Sequence, residues 1–120
     1  MAKILLAEDD DSLRGFLMNA LKKAGHSVKD CGDGEEALSL LEREVFDLLL
    51  TDIVMPGLDG IELARRGAEL DPAMKIVFIT GFAAVALSSG GSLTPSGAKV
   101  LSKPFHLREL VDEVDRVIAA

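Results

Sequence analysis

Phe46-Asp47-Leu48-Leu49-Leu50-Thr51-Asp52-Ile53-Val54-Met55-Pro56-Gly57 carries an aspartate at the end of an apolar run and at the mouth of a Pro/Gly loop. The apolar residues do not alternate with polar ones, the pattern of a strand covered on both faces in a parallel sheet. Pro56 and Gly57 then break the strand. A carboxylate in such surroundings is costly unless a partner or a reaction holds it there. Asp52 is therefore the first candidate functional residue.

Working outward, Lys3–Ala7, Ser27–Cys31, Phe46–Thr51, Lys75–Thr80 and Lys99–Ser102 read as five strands, separated by longer helical patterns. This alternation predicts an α/β fold with a parallel sheet and covering helices. The second strand is the most polar, which places it at a sheet edge. Ser12–Ala24 carries Leu13, Phe16, Leu17, Ala20, Leu21 and Ala24 at helical spacing, with Gly25 as the stop. Asp33-Gly34-Glu35-Glu36 has the form of a capping box opening a second helix, with Ala37, Leu38 and Leu41 inward. Asp59–Leu70 reads as a third helix. Leu107–Ala119 closes the chain, with Leu107, Leu110, Val111, Val114, Val117 and Ile118 on one face. Between Thr80 and Lys99, the Ser/Gly/Pro-rich stretch Ser88–Gly97 has turn chemistry, so a fourth helix there is expected to be short, displaced or mobile.

The chain has 120 residues, 48% of them hydrophobic, enough for one domain with a proper core. A net charge of -7 argues against a nucleic-acid footprint, which calls for a basic face. At this length no output domain is expected, and residues 1–120 are expected to form one domain. The single cysteine, Cys31, excludes an internal disulfide and fits a reducing cytoplasm. No run approaches the ~20 apolar residues that span a bilayer. Cys31 reads as a small semi-buried hydrophobe, His26 as a solvated turn residue, and His106 as a surface residue at the start of the last helix.

Strand ends in a parallel sheet share one edge, and ligands bind in the crevice there. Glu8 and Asp9 follow the first strand, Asp52 ends the run of the third, Thr80 closes the fourth, and Lys103 follows the fifth. If the first and third strands are neighbours, their acids converge. Two carboxylates ~4 Å apart repel by roughly 4 kcal/mol at an effective dielectric of about 20, so such a cluster calls for a cation or protons. Oxygen donors without histidine or thiol point to Mg²⁺. Asp10 and Asp11, beside Ser12, read as first-turn acids that favour a helix N-terminus.

Glu8-Asp9, Asp52 with Met55-Pro56-Gly57 and Asp59-Gly60, Thr80, and Lys103-Pro104-Phe105 together resemble the receiver domain of two-component response regulators. The resemblance spans the whole chain and implies a doubly wound, flavodoxin-like sheet of order 2-1-3-4-5. It implies Asp52 as phosphoacceptor from a histidine kinase or histidine phosphotransferase. It further implies Mg²⁺ held by Asp9, Asp52 and the Val54 backbone carbonyl, with Glu8 on a metal-bound water. Lys103 and Thr80 would contact phosphoryl oxygens, and Gly81 would leave room beside them. A receiver of this kind is not an enzyme; it catalyses only its own phosphorylation and slow autodephosphorylation.

Leu50–Pro56, Phe78–Leu87, Val100–Pro104 and His106–Leu110 resemble more narrowly the CpdR-type group of stand-alone receivers, which act in cell-cycle phosphorelays. Unphosphorylated members of that group serve as adaptors of the AAA+ protease ClpXP. The alternative is a phosphate shuttle or sink between histidine-bearing relay proteins. An aspartate-nucleophile phosphatase is disfavoured, because Val54 replaces the second acid such enzymes place two residues after the nucleophile. Val100 stands where many receivers carry a switching Tyr or Phe, so the signal must leave through Thr80 and the loop after it, or through Phe82.

Overall fold

The structure is a computed structural model and describes residues 2–80, 99–102 and 106–119. Along these residues run β1 (Lys3–Ala7), α1 (Asp11–Lys23), β2 (Ser27–Cys31), α2 (Gly34–Arg43), β3 (Leu48–Asp52), α3 (Gly60–Leu70), β4 (Lys75–Thr80), β5 (Lys99–Ser102) and α4 (Leu107–Ala119). The segment in which a short or mobile helix is expected, after Thr80, lies outside the described residues.

All five strands pair in parallel in the order β2-β1-β3-β4-β5. This is the flavodoxin-like order, with polar β2 at one edge as expected. The apolar strands have no polar face because both faces are covered. Leu5, Leu49, Ile76 and Phe78 pack with Ala37, Leu41, Leu63 and Ala64 of α2 and α3. Ile4, Leu6, Leu48, Leu50, Val77 and Ile79 pack with Leu17 and Leu21 of α1 and with Leu110, Val114 and Val117 of α4. Successive strand residues thus alternate between two cores.

Helix ends follow local chemistry. Asp10, Asp33 and Asp59 each accept a hydrogen bond from the amide three residues on, capping α1, α2 and α3. After α1 the Gly25 amide donates to the Lys22 carbonyl and the His26 amide to the Leu21 carbonyl, with Gly25 at φ 98°. This is a Schellman stop, and the left-handed φ is why glycine stands there.

Four expectations are corrected. The third strand begins at Leu48 and runs through Asp52. Upstream, the Asp47 carboxylate takes the Lys3 amide at 2.8 Å, while the Asp47 amide donates to the Lys3 carbonyl and the Asp47 carbonyl accepts from the Lys75 amide. At the other end Asp52 stays paired with Ile79. Phe16 is 61% exposed, because the buried stripe of α1 is Leu17 and Leu21 and a residue one step away turns about 100° from it. Leu107 is exposed in the first turn of α4. His26 is buried rather than solvated. Its Nδ1 accepts from the Ala2 amide at 3.1 Å, so Nε2 carries the proton of the neutral ring and donates to Asp115 of α4 at 2.7 Å.

Cys31 is buried, and burial pushes its thiol up to about 12, with Glu36, Asp33 and Asp30 adding to the effect. Native protein at about pH 8 should therefore alkylate far more slowly than a free thiol, and urea should restore the ordinary rate. Because the folded-state value is raised, this group's contribution to stability is complete below the ordinary thiol pKa and is lost as pH climbs toward 12. His26→Ala should lower stability by about 2 kcal/mol, since it strands a buried amide and opens a cavity, with the urea m-value unchanged.

Candidate functional site

Register decides which acids meet. β1 and β3 pair with Ile4 opposite Leu48 and Ala7 opposite Thr51. The next residues, Glu8 and Asp52, therefore emerge side by side at the carboxyl edge of the sheet. β1 lies between β2 and β3, so the connections leave in opposite directions from this point and open the crevice that parallel sheets use for ligands.

Carboxylate oxygens of Glu8, Asp9 and Asp52 lie within 4.8 Å of one another. Glu8 is fully buried and Asp52 is 7% exposed, whereas Asp9 faces solvent. The cluster has a buried floor and an open lip. Three hard oxygen donors from two strand ends make a donor set suited to a small divalent cation.

Main-chain contacts aim these side chains. The Glu8 amide donates to the Cys31 carbonyl at 3.1 Å, and one Glu8 carboxylate oxygen accepts from the Asp10 amide at 3.1 Å. Asp10 itself caps α1 through the Leu13 amide at 3.0 Å, so it does the first-turn work expected of it. Asp52 Oδ1 accepts from the Val54 amide at 3.3 Å, and the Asp52 carbonyl accepts from the Thr51 hydroxyl at 2.9 Å. Beyond it the Ile53 amide donates to Ile79 and the Gly60 amide to Ile53. A Cβ on Gly60 would lie 1.9 Å from the Asp52 carbonyl oxygen, so only glycine lets α3 start this close to Asp52.

Of the residues singled out from sequence, Glu8, Asp9 and Asp52 are brought together. Val54 stands at the rim, 55% exposed, with its amide on Asp52. Thr80 ends β4 and pairs with Ser102 through the backbone, and Val100 pairs with Phe78. Lys103, Gly81 and Phe82 lie outside the described residues.

One neighbour was not anticipated. Arg14 on α1 donates to the Glu8 carbonyl at 2.8 Å, to Asp11 at 2.6 Å and to Asp30 of β2 at 3.1 Å. An arginine three residues after Asp11, on a helix opened by an acidic run, is the signal available in the sequence.

A five-stranded parallel sheet with an acidic crevice at its carboxyl edge defines a receiver. Residues 4–115 match the response regulator receiver domain family, and the chain belongs to that family. It is 58% identical over 120 residues to the response regulator receiver protein CpdR of Brucella abortus, covering 100% of this chain and 99% of that protein. The sensor kinase CckA of the same organism is 35% identical over 98% of this chain but only 12% of its own length. Among solved structures, a response regulator receiver protein from Sinorhizobium medicae superposes with a TM-score of 0.90 at 33% identity, covering 98% of this chain and 94% of that one. The receiver domain of the hybrid histidine kinase CckA gives 0.82 at 30% identity over 97% and 98%.

Two glycines should respond oppositely to alanine. Gly60→Ala should cost more than about 2 kcal/mol, because backbone must move off the Asp52 carbonyl. Gly15→Ala, in α1 with nothing within 4 Å of a new Cβ, should stabilise by about 0.5–1 kcal/mol. Denaturant midpoints at equal m-value distinguish the two.

Proposed function

We propose that this chain is a stand-alone response regulator, phosphorylated on Asp52 from a phosphohistidine donor, whose phosphorylation state switches a protein–protein contact. The observation that carries the proposal is the convergence of Glu8, Asp9 and Asp52 within 4.8 Å at the end of β1 and β3.

In this reading Asp9, Asp52 and the Val54 carbonyl would hold Mg²⁺, with Glu8 supporting it through a water. Bound there, it would supply the positive charge that offsets the clustered carboxylates and the phosphoryl oxygens. Asp52 acts as the nucleophile: its oxygen bonds to phosphorus as the donor's P–N bond breaks, and the electron pair goes to the departing imidazole nitrogen, which takes a proton from solvent. The Val54 amide on Oδ1 fixes the carboxylate rotamer for in-line approach. Thr80 gives a phosphoryl oxygen a hydroxyl hydrogen bond, and Lys103 pairs with another. Burial of Asp52 among main-chain contacts limits competing attack by water. The chain turns over only its own phosphoryl group and is not an enzyme toward other substrates.

The donor is a histidine kinase or histidine phosphotransferase, a reading supported by the likeness to CckA receivers. For the output, the near-complete mutual coverage with a protein named CpdR supports a cytoplasmic adaptor that engages the AAA+ protease ClpXP when unphosphorylated. The likeness to the receiver of a hybrid histidine kinase favours a second reading, a phosphate shuttle that returns the group to a histidine domain.

With Mg²⁺ and a small phosphodonor such as acetyl phosphate, the wild-type chain should shift on a phosphate-affinity gel, and Asp52→Asn should abolish the shift. A shift that survives would remove the central claim. At a Mg²⁺ concentration about tenfold above Kd the melting temperature should rise by about 5 °C. Asp9→Asn should blunt that rise. Transfer of label from the chain to an isolated histidine phosphotransfer domain, without any phosphorylation-dependent capture of ClpXP, would favour the shuttle.

A further inference from the structure

Three consecutive peptide groups carry the acids at the end of β1, and each is held by a different contact. The group entering Glu8 is fixed by the Glu8 amide on the Cys31 carbonyl. The group leaving Asp9 is fixed by the Asp10 amide on the Glu8 carboxylate. Between them lies the Glu8–Asp9 peptide, whose carbonyl accepts from Arg14 Nη1 at 2.8 Å. The plane of that peptide sets ψ of Glu8 and φ of Asp9, and so the directions in which both side chains leave the backbone.

We propose that Arg14 is a positioning residue of the acidic site, clamping the Glu8–Asp9 peptide so that both carboxylates face Asp52. This rests on the reading of the cluster as a divalent-cation site. The guanidinium is suited to the task because it is itself held on two other sides. Nη2 is 2.6 Å from Asp11 at the start of α1, and Nε is 3.1 Å from Asp30 on β2. The side chain is only 20% exposed, and a Cβ on Gly32 would lie 3.1 Å from Nη1, so the pocket around it is close-fitting. The planar fork of an arginine can meet three acceptors at once, whereas a lysine offers one point charge.

A plain surface ion pair with Asp11 would contribute little and would not reach the Glu8 carbonyl. A charge effect alone would also act with the opposite sign. Arg14 is a positive group beside a site that must take up a cation, so electrostatics by itself predicts that its removal tightens cation binding. A clamp predicts that removal weakens it. The sign of one measurement separates the two.

Mn²⁺ binding to the full chain, followed by electron paramagnetic resonance because the sequence has no Trp or Tyr reporter, provides the test. Arg14→Gln should weaken Mn²⁺ binding about tenfold, the usual consequence of losing a group that orients metal ligands. Arg14→Lys, which keeps the charge and loses the fork, should also weaken it. Arg66→Gln, which removes a surface arginine paired with Glu62 on α3, should leave it unchanged. If Arg14→Gln does not fold, Arg14→Lys alone decides. Wild-type affinity or tighter binding in the folded Arg14 variants would overturn the assignment of Arg14 while leaving the cation reading intact. Absence of Mn²⁺ binding by the wild type would overturn the cation reading and this inference together.

Discussion

Two strand ends that must finish level with each other govern this molecule. Ala7 opposite Thr51 brings Glu8 beside Asp52, and a slip of one residue would turn every side chain of β1 to the wrong core. The register is strongly held because both faces of β1 and β3 are buried. Leu5 and Leu49 face one core, while Ile4, Leu6, Leu48 and Leu50 face the other. Hydrophobic packing over many residues thus holds a few carboxylates at a separation they would not choose. In the proposed reading, their mutual repulsion would be relieved by a cation with a phosphoryl group beside it.

The supporting shell is mostly main chain. Amides of Asp10 and Val54 bond directly to Glu8 and Asp52, and the carbonyls of Glu8 and Asp52 accept from Arg14 and Thr51. Such contacts reorganise little during a reaction, which is what positioning and charge stabilisation require. Gly60 brings the start of α3 against the Asp52 carbonyl, so the loop from Ile53 to Asp59 is anchored at both ends.

The helices and strands were legible because their signals are local. Asp33 and Asp59 cap their helices through backbone atoms three residues away, and unbroken apolar runs such as Leu48-Leu49-Leu50 demand cover on both faces. What was missed depends on distant partners. His26 follows a glycine turn and looks solvated, yet Asp115, 89 residues on, and the Ala2 amide take both ring nitrogens. Phe16 fits an apolar pattern but lies at the rim of the stripe that α1 buries. The start of β3 is fixed at Leu48 by its partners on the two neighbouring strands, Ile4 and Lys75.

Sequence alone determined the fold class, the approximate positions of the strands and helices among the described residues, and the identity of the three acids, since hydrophobic period, capping chemistry and residue type are properties of short segments. The tertiary structure decided that those acids share one crevice. It also decided that Arg14 reaches the peptide between two of them and that His26 is a core residue, because these facts depend on register and on contacts between segments far apart in the chain.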